Sequence, residues 1–525
     1  MRSILGRPTP GTARPIVVYL SSFAILLGLS LCWVVASPLS SVPDEPSHAI
    51  KAAAVVRGQL SGEATRAAGQ TLEVRVPQWV AVGHELTCYA FRPEITPNCA
   101  TIDFTGGSRT VETLTSAGNY NPVYYAIVGL PSLVTEGKFG LYAMRLTSAM
   151  LSCLFLAAMF AAAIQLRRSR WLVLAASVSI TPMVLYLNGG INPNSLEFAT
   201  VGAIFTNLAL LLERSGDRRI YPQTVVWIAL GAALLANTKA LSLLWLLIVV
   251  VVTFWQSGFS PLARVVKNAW FWGGAALIGL ASAFALWWVV SANSLESQPF
   301  AGAGSTFFQG LQTMFDRTFE YTNGLVGYFG WLDTPAPAGV LALWGLLVGT
   351  LLISALAFGS GRMLHALVFA IASYILLPPL LQAAVVTEQG FIWQGRYVLA
   401  LFIIVLLAAG RTLDARFGQA RGPALDRIVL WAVVLMALAH TYAFVWALRR
   451  YVSGLGTGLN WTDMIRNPAW QPPLGWFTWS VIYVVMVALA AWALYRLYRR
   501  TDTLLLAGSP AEEERAQPSV ASPTP

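Results

Sequence analysis

The sequence predicts an all-α polytopic membrane protein of about twelve transmembrane helices. Three observations carry this. Of 525 residues, 56% are hydrophobic and only 11% are charged, where a soluble domain is about 25% charged. Apolar runs of membrane-spanning length recur along the chain, too continuous for the alternating strands of a barrel. Basic clusters fall between alternate runs, which is the positive-inside pattern. The net charge of +10 is accounted for in this way and gives no indication of nucleic-acid binding.

Residues 1–15, with Arg2, Arg7 and Arg14, read as a short basic cytoplasmic tail. The run 16–36 is the first transmembrane helix. It is retained, because P-L-S-S-V-P-D-E follows it and not a small-residue cleavage site. Residues 37–139 form a long polar extracytoplasmic loop with amphipathic or interfacial helices, and its 123–134 stretch is apolar enough to lie on the membrane. Residues 140–500 are the transmembrane helix bundle. Its runs lie at 140–165, 171–188, 195–212, 223–237, 240–257, 269–291, 339–358, 363–386, 396–410, 427–448 and 476–495.

Arg167, Arg168 and Arg170 follow the second run, Arg214, Arg218 and Arg219 the fourth, and Arg264 and Lys267 the sixth. Arg362 follows the eighth, Arg411, Arg416, Arg421 and Arg427 surround the tenth and its loop, and Arg496, Arg499 and Arg500 end the twelfth. With twelve spans, every cluster lies on the side of the N-terminus, and both termini are cytoplasmic. The fifth and sixth runs are separated only by Asn237, Thr238 and Lys239. A hairpin there keeps the count, whereas one kinked helix would invert every later cluster. Outer loops are expected near 292–338 and 449–475, with shorter ones at 188–194 and 387–395. Residues 501–525, rich in Pro, Glu, Ser and Ala, read as a disordered cytoplasmic tail.

The residues that can carry chemistry collect at the outer ends of these runs. Residues 40–51 read S-S-V-P-D-E-P-S-H-A-I-K. Asp44 and Glu45 are the candidate catalytic residues: a carboxylate at a membrane rim can take a proton from an attacking hydroxyl, and the prolines fix its direction. His48 is a candidate substrate contact. The competing reading is a helix start with acids at its positive end. In L-N-G-G-I-N-P-N-S (187–195), Asn192 and Asn194 either belong to a plain outer turn with Asn192 as a cap, or face the cavity of Asp44. In W-Q-G-R-Y (393–397), Arg396 and Tyr397 suit a phosphate, since guanidinium is a planar fork of donors. The alternative is an ion pair with an acid such as Glu388. Arg145 and Lys239 lie at the same level and complete a candidate site for an anionic lipid head group.

Cys88 and Cys99 flank a polar segment and can close a disulfide if that segment is extracytoplasmic; two free thiols are the alternative. Cys32 and Cys153 lie in apolar runs and read as inert. Asp44 and Glu45 would admit a divalent metal, but the sequence does not require one. Trp79, Tyr120, Tyr124, Tyr125, Tyr328, Trp331, Trp393, Trp461 and Trp470 crowd the outer loops. Most fit an interfacial belt; a few are placed where they could stack on a sugar ring.

Six motifs occur in order: P-D-E-P-S-H (43–48), Y-N-P-V-Y-Y (120–125), Y-A-M-R-L (142–146), G-G-I-N-P-N-S (189–195), G-Y-F-G-W-L-D-T-P (327–335) and Q-G-R-Y (394–397). As a set they resemble the domain-of-unknown-function 2142 (DUF2142) family of bacterial polytopic membrane proteins. That family looks like a branch of the GT-C glycosyltransferases, which use polyprenyl-phosphate-linked sugars. The resemblance implies a GT-C-like fold in the bacterial plasma membrane. It also implies a polyprenyl-phosphate-linked sugar donor, an envelope or cell-wall glycan acceptor and an active site on the extracytoplasmic face. By position it implicates Asp44, with Glu45 beside it, as the acidic residue of the first outer loop. The alternative is a transporter or flippase of a lipid-linked saccharide. Transporters tend to hold polar groups near the bilayer midplane, whereas here they gather at one face. A third reading is a non-catalytic partner in envelope assembly.

Overall fold

A computed structural model describes residues 14–64, 71–102, 104, 107–295, 299–420, 422–456 and 461–500. The expected tails at 1–15 (all but its last two residues) and 501–525 lie outside the described residues. Helix α1 (Pro15–Ala36) leads into a polar unit containing α2 (Glu45–Val55), α3 (Gln78–Ala81) and α4 (Pro122–Val128). The same unit holds strands β1 (Glu63–Ala64), β2 (Leu72–Pro77) and β3 (Thr110–Thr115), antiparallel in the order β1-β2-β3 with Leu72 opposite Thr115 and Pro77 opposite Thr110. This sheet departs from the all-helical expectation for the loop. Its cause is a period of two: Val74 and Val76 are buried against α2 while Arg75 between them is exposed. The 123–134 stretch also divides. Tyr124, Tyr125 and Val128 are core residues, and the large apolar side chains of Leu130, Leu133 and Val134 remain exposed.

The bundle follows: α5 (Gly137–Ala163), α6 (Arg170–Ser179), α7 (Pro182–Asn188), α8 (Pro193–Glu213), α9 (Tyr221–Ala236), α10 (Ser242–Ser257), α11 (Leu262–Val265) and α12 (Ala269–Ser291). Next come α13 (Phe307–Asp316), α14 (Thr318–Val326) and a hairpin of β4 (Tyr328–Phe329) with β5 (Thr334–Pro335). The chain ends with α15 (Ala338–Phe358), α16 (Gly361–Gln389), α17 (Leu399–Phe417), α18 (Pro423–Ser453), α19 (Trp461–Arg466) and α20 (Trp476–Arg500).

All twelve predicted runs are helical, but they are not twelve uniform spans. Among the described residues, ten helices are long and apolar enough to cross a membrane singly. The third run breaks into α6 and α7, bent by 62°, because Pro182 starts a new helix capped by Thr181. The sixth, α10, has 16 residues. Helices α8 and α17 are central, with nearly every residue of their apolar windows buried, while α12 and α20 are peripheral.

Contacts between the basic clusters define one face of the bundle. Arg170 and Arg499 both pair with Asp426, Arg168 donates to the Ala415 carbonyl, and Arg411 donates to Ser257 at the end of α10. Asp414 accepts from the Trp171 and Leu172 amides at 2.9 Å and caps the start of α6. At the opposite face Asn121 donates to Asn237, after α9. Because α9 starts next to Arg219 and α10 ends at Arg411, the two helices form a hairpin around Lys239.

Candidate active site

The site is built where the end of α1, the start of α2, the α7–α8 turn and the segment before α17 meet. Asp44 sits at the N-cap position of α2 with φ +64°, a left-handed conformation that Asp tolerates better than most residues. Its side chain makes no capping bond. It reaches instead to Arg396, forming an ion pair through Oδ2 and Nη2. The alternative for Arg396, an ion pair with an acid, therefore occurs in this structure, but with Asp44 and not Glu388.

The two partners differ in burial. The Asp44 side chain is 42% exposed and that of Arg396 is 2% exposed. Arg396 Nε and Nη1 are buried and have no hydrogen-bond partner. A buried guanidinium with two of its three nitrogens unfilled is costly. The Tyr397 ring lies against it, 5.3 Å from centroid to guanidinium carbon. On the same ring rests the Lys239 ammonium, at 4.5 Å. Arg396, Lys239 and Tyr397 are thus brought together with Asp44.

Glu45 and Arg145 are not available in the roles the sequence assigned them. Glu45 is buried and accepts from Arg145 Nε and Nη2, both at 2.6 Å, and from the Ile191 amide at 3.1 Å. Arg145 is wholly buried, and its remaining donors go to the carbonyls of Val34, Ser37 and Pro38. All five N–H groups of that guanidinium are occupied, so none is left for a phosphate. The pair is a clamp joining α1, α2, α5 and the α7–α8 turn. It holds Asp44 by fixing its neighbour.

Asn192 caps α8 through the Asn194 amide, and its Nδ2 donates to the Pro43 carbonyl at 3.2 Å. It supports the Asp44 turn from below. Asn194 is buried with both amide atoms unpartnered. His48 Nδ1 is 2.8 Å from the Tyr125 hydroxyl, and its ring stacks on Tyr125. Burial pushes His48 down to about 3, with Asp44 raising it and Lys239 and Arg396 lowering it further. Its ring is therefore neutral beside Asp44.

Glu45 has no oxygen to spare for a divalent metal beside Asp44. Both Glu45 oxygens are held by Arg145, and among the described residues no three His, Cys, Asp or Glu side chains form a metal-binding group. Cys88 and Cys99 are joined by a disulfide.

Beside this cluster is a second one that residue-by-residue sequence reading did not assemble. Asp333, on the β4–β5 hairpin, pairs with the fully buried Arg450 near the end of α18 at 3.1 Å. Arg450 also gathers the carbonyls of Tyr89, Arg92 and Ile95 within the disulfide loop. Tyr186 of α7 donates to the Ser41 carbonyl at 2.6 Å, just before Asp44. The one available signal was Asp333 within its quoted motif. Arg450 follows an apolar run and reads as the start of a loop.

Fold and site together define a multi-pass helical membrane protein with a polar, partly open cluster at one end of its bundle. Residues 27–407 match the family described as "Predicted membrane protein (DUF2142)", and the chain belongs to that family. The family read from the six ordered motifs is therefore the right one. No curated protein matches the sequence. Among solved structures, ArnT from Cupriavidus metallidurans bound to undecaprenyl phosphate aligns at 12% identity and a TM-score of 0.43, over 96% of this chain and 81% of that one. At that distance no residue role passes from one protein to the other.

Proposed function

We propose that the protein is a membrane glycosyltransferase. It transfers a sugar from a polyprenyl-phosphate-linked donor to an envelope or cell-wall glycan hydroxyl on the extracytoplasmic face, with inversion. The observation that carries this reading is the unequal pair: a half-exposed aspartate on a buried arginine with Nε and Nη1 unfilled. Those nitrogens, with Lys239, suit the phosphate of a lipid whose chain lies among the helices. The basic face is cytoplasmic by the positive-inside rule, so both termini are cytoplasmic and the site opens outward, in a bacterial plasma membrane.

The resting ion pair supplies the logic of the reaction. When the donor phosphate fills Nε and Nη1 and draws the guanidinium to itself, Nη2 leaves Asp44, which becomes a free carboxylate base. The acceptor hydroxyl attacks the anomeric carbon from the face opposite the phosphate and gives its proton to Asp44. The bond from that carbon to the phosphate oxygen breaks, and its electron pair leaves with the polyprenyl phosphate. Arg396 and Lys239 stabilise that charge. A phosphate leaving group needs no general acid. The left-handed backbone at Asp44 costs on the order of 1 kcal/mol, and the Glu45–Arg145 clamp holds it in place.

The break between α6 and α7 is a feature that a transporter would share. The polar groups nonetheless collect at the bundle end, which favours surface chemistry. The experiment is release of polyprenyl phosphate by purified protein given a panel of polyprenyl-phospho-sugars and an envelope glycan extract. Wild type should release it, and folded Asp44→Asn and Arg396→Ala should not. Lipid movement across proteoliposomes that survives Asp44→Asn, with no release from any donor, would replace this reading with a flippase.

A further inference from the structure

Phe91 is an apolar residue in an unfavourable position. It is 69% exposed, and its φ of +60° is one that bulky side chains rarely adopt. It projects from the disulfide loop, and its neighbours Arg92 and Glu94 are exposed and charged, which keeps this tip in water and not in hydrocarbon. An exposed aromatic ring held at a backbone cost calls for a purpose.

The loop beneath it is rigid. The Cys88–Cys99 bond closes it, and Arg450 binds three of its carbonyls. The Leu455 amide donates to the Pro93 carbonyl at 2.8 Å. Gly454, at φ +73°, packs so closely on Glu94 that a side chain there would collide with it. Against Phe91 stands Trp331, edge to face, with ring centroids 5.6 Å apart. Trp331 is fixed in turn by its Nε1–H, which donates to the Ser40 carbonyl at 3.0 Å. Ser40 belongs to the same tight turn as Asp44. Four residues span at most about 14 Å when fully extended, so the Ser40 carbonyl that holds Trp331 stands within that distance of Asp44.

We propose that Phe91 and Trp331 form a preorganised platform that binds a saccharide, stacking the C–H face of a pyranose on the electron-rich ring faces. This rests on the glycosyl-transfer reading for its biological sense: the platform holds the acceptor chain while its terminal hydroxyl reaches Asp44. Because the rings are already fixed, binding loses little conformational entropy.

The test is binding and needs no turnover. Soluble di- to tetrasaccharides built from mannose, galactose, rhamnose or arabinose are titrated against the full-length protein in lipid nanodiscs, observed by saturation-transfer NMR. At least one should bind wild type and Asp44→Asn alike, bind Phe91→Ala at least tenfold more weakly, and recover in Phe91→Trp. Polyprenyl phosphate binding should be the same in wild type and Phe91→Ala, which shows that the variant is folded. No saccharide bound by wild type, or equal binding by Phe91→Ala, overturns the platform. Saccharide binding as described without polyprenyl phosphate release from any donor would sink the transferase reading and leave the platform standing.

Discussion

Replacing Arg145 with leucine removes the most heavily bonded side chain of the candidate site. It strands the Glu45 carboxylate, which keeps only the Ile191 amide and a long contact to the Val42 amide. It also leaves the carbonyls of Val34, Ser37 and Pro38 without this donor. Breaking one partner of a buried pair costs about 3–5 kcal/mol, and each buried acceptor left unfilled adds about 1–3 kcal/mol unless water reaches it. A loss of about 4 kcal/mol is the cautious expectation, out of a total of about 5–15 kcal/mol for a typical protein. At about 2 °C per kcal/mol, the midpoint of thermal unfolding in detergent should fall by on the order of 8 °C. Glu45→Gln leaves the guanidinium charge buried and should fall comparably. The double variant should lose less than the sum, because each single change already breaks the pair. If Glu45→Gln instead unfolds like wild type and loses only turnover, Glu45 is a catalytic group and the clamp assignment is wrong.

Two further outcomes follow from the same geometry. The pKa of His48 is about 3 in the fold against an ordinary 6.5, so between those values the unfolded chain holds the extra proton. Stability should therefore fall as pH drops below about 6.5, by up to about 1.4 kcal/mol per pH unit from this group. His48→Gln should flatten the slope of the unfolding midpoint between pH 6.5 and 4.5, and an unchanged slope would show that other groups govern it. Replacing both Cys88 and Cys99 with serine opens a loop of sequence separation 11, worth about 3 kcal/mol by loop entropy. Protease sensitivity should rise near residues 88–99, and a cleavage pattern identical to wild type would contradict the role given to that loop.

The parts of this molecule legible in its sequence are those set by repeated local patterns. Long apolar runs gave the helices, and the arginine clusters gave their alternation, because bilayer thickness and the charge rule act on each run separately. Asp44 and Arg396 were each readable as unusual charges in an apolar chain, yet their pairing joins residues 352 apart and no local pattern specifies it. The same holds for Glu45 with Arg145. Both sit in motifs that marked them as important, but only the packed structure shows that their valences are spent on each other. The β2 strand shows as alternation in L-E-V-R-V, but so short a run suits a strand or an interfacial helix equally. The break at Pro182 was hidden because an apolar run continues across it.

In the proposed reaction Arg396 exchanges Asp44 for a phosphate, and polyprenyl phosphate affinity tests that directly. Titrations of wild type, Arg396→Ala and Asp44→Asn in the same lipid nanodiscs would suffice. Arg396→Ala should bind at least tenfold more weakly, since a charge-assisted bond is worth roughly 1.5–3 kcal/mol. Asp44→Asn should bind more tightly than wild type while failing to turn over, because the resting competitor for Arg396 has gone. Weaker binding by Asp44→Asn, or full affinity in Arg396→Ala, would contradict the exchange and with it the assignment of this cluster as the reaction centre.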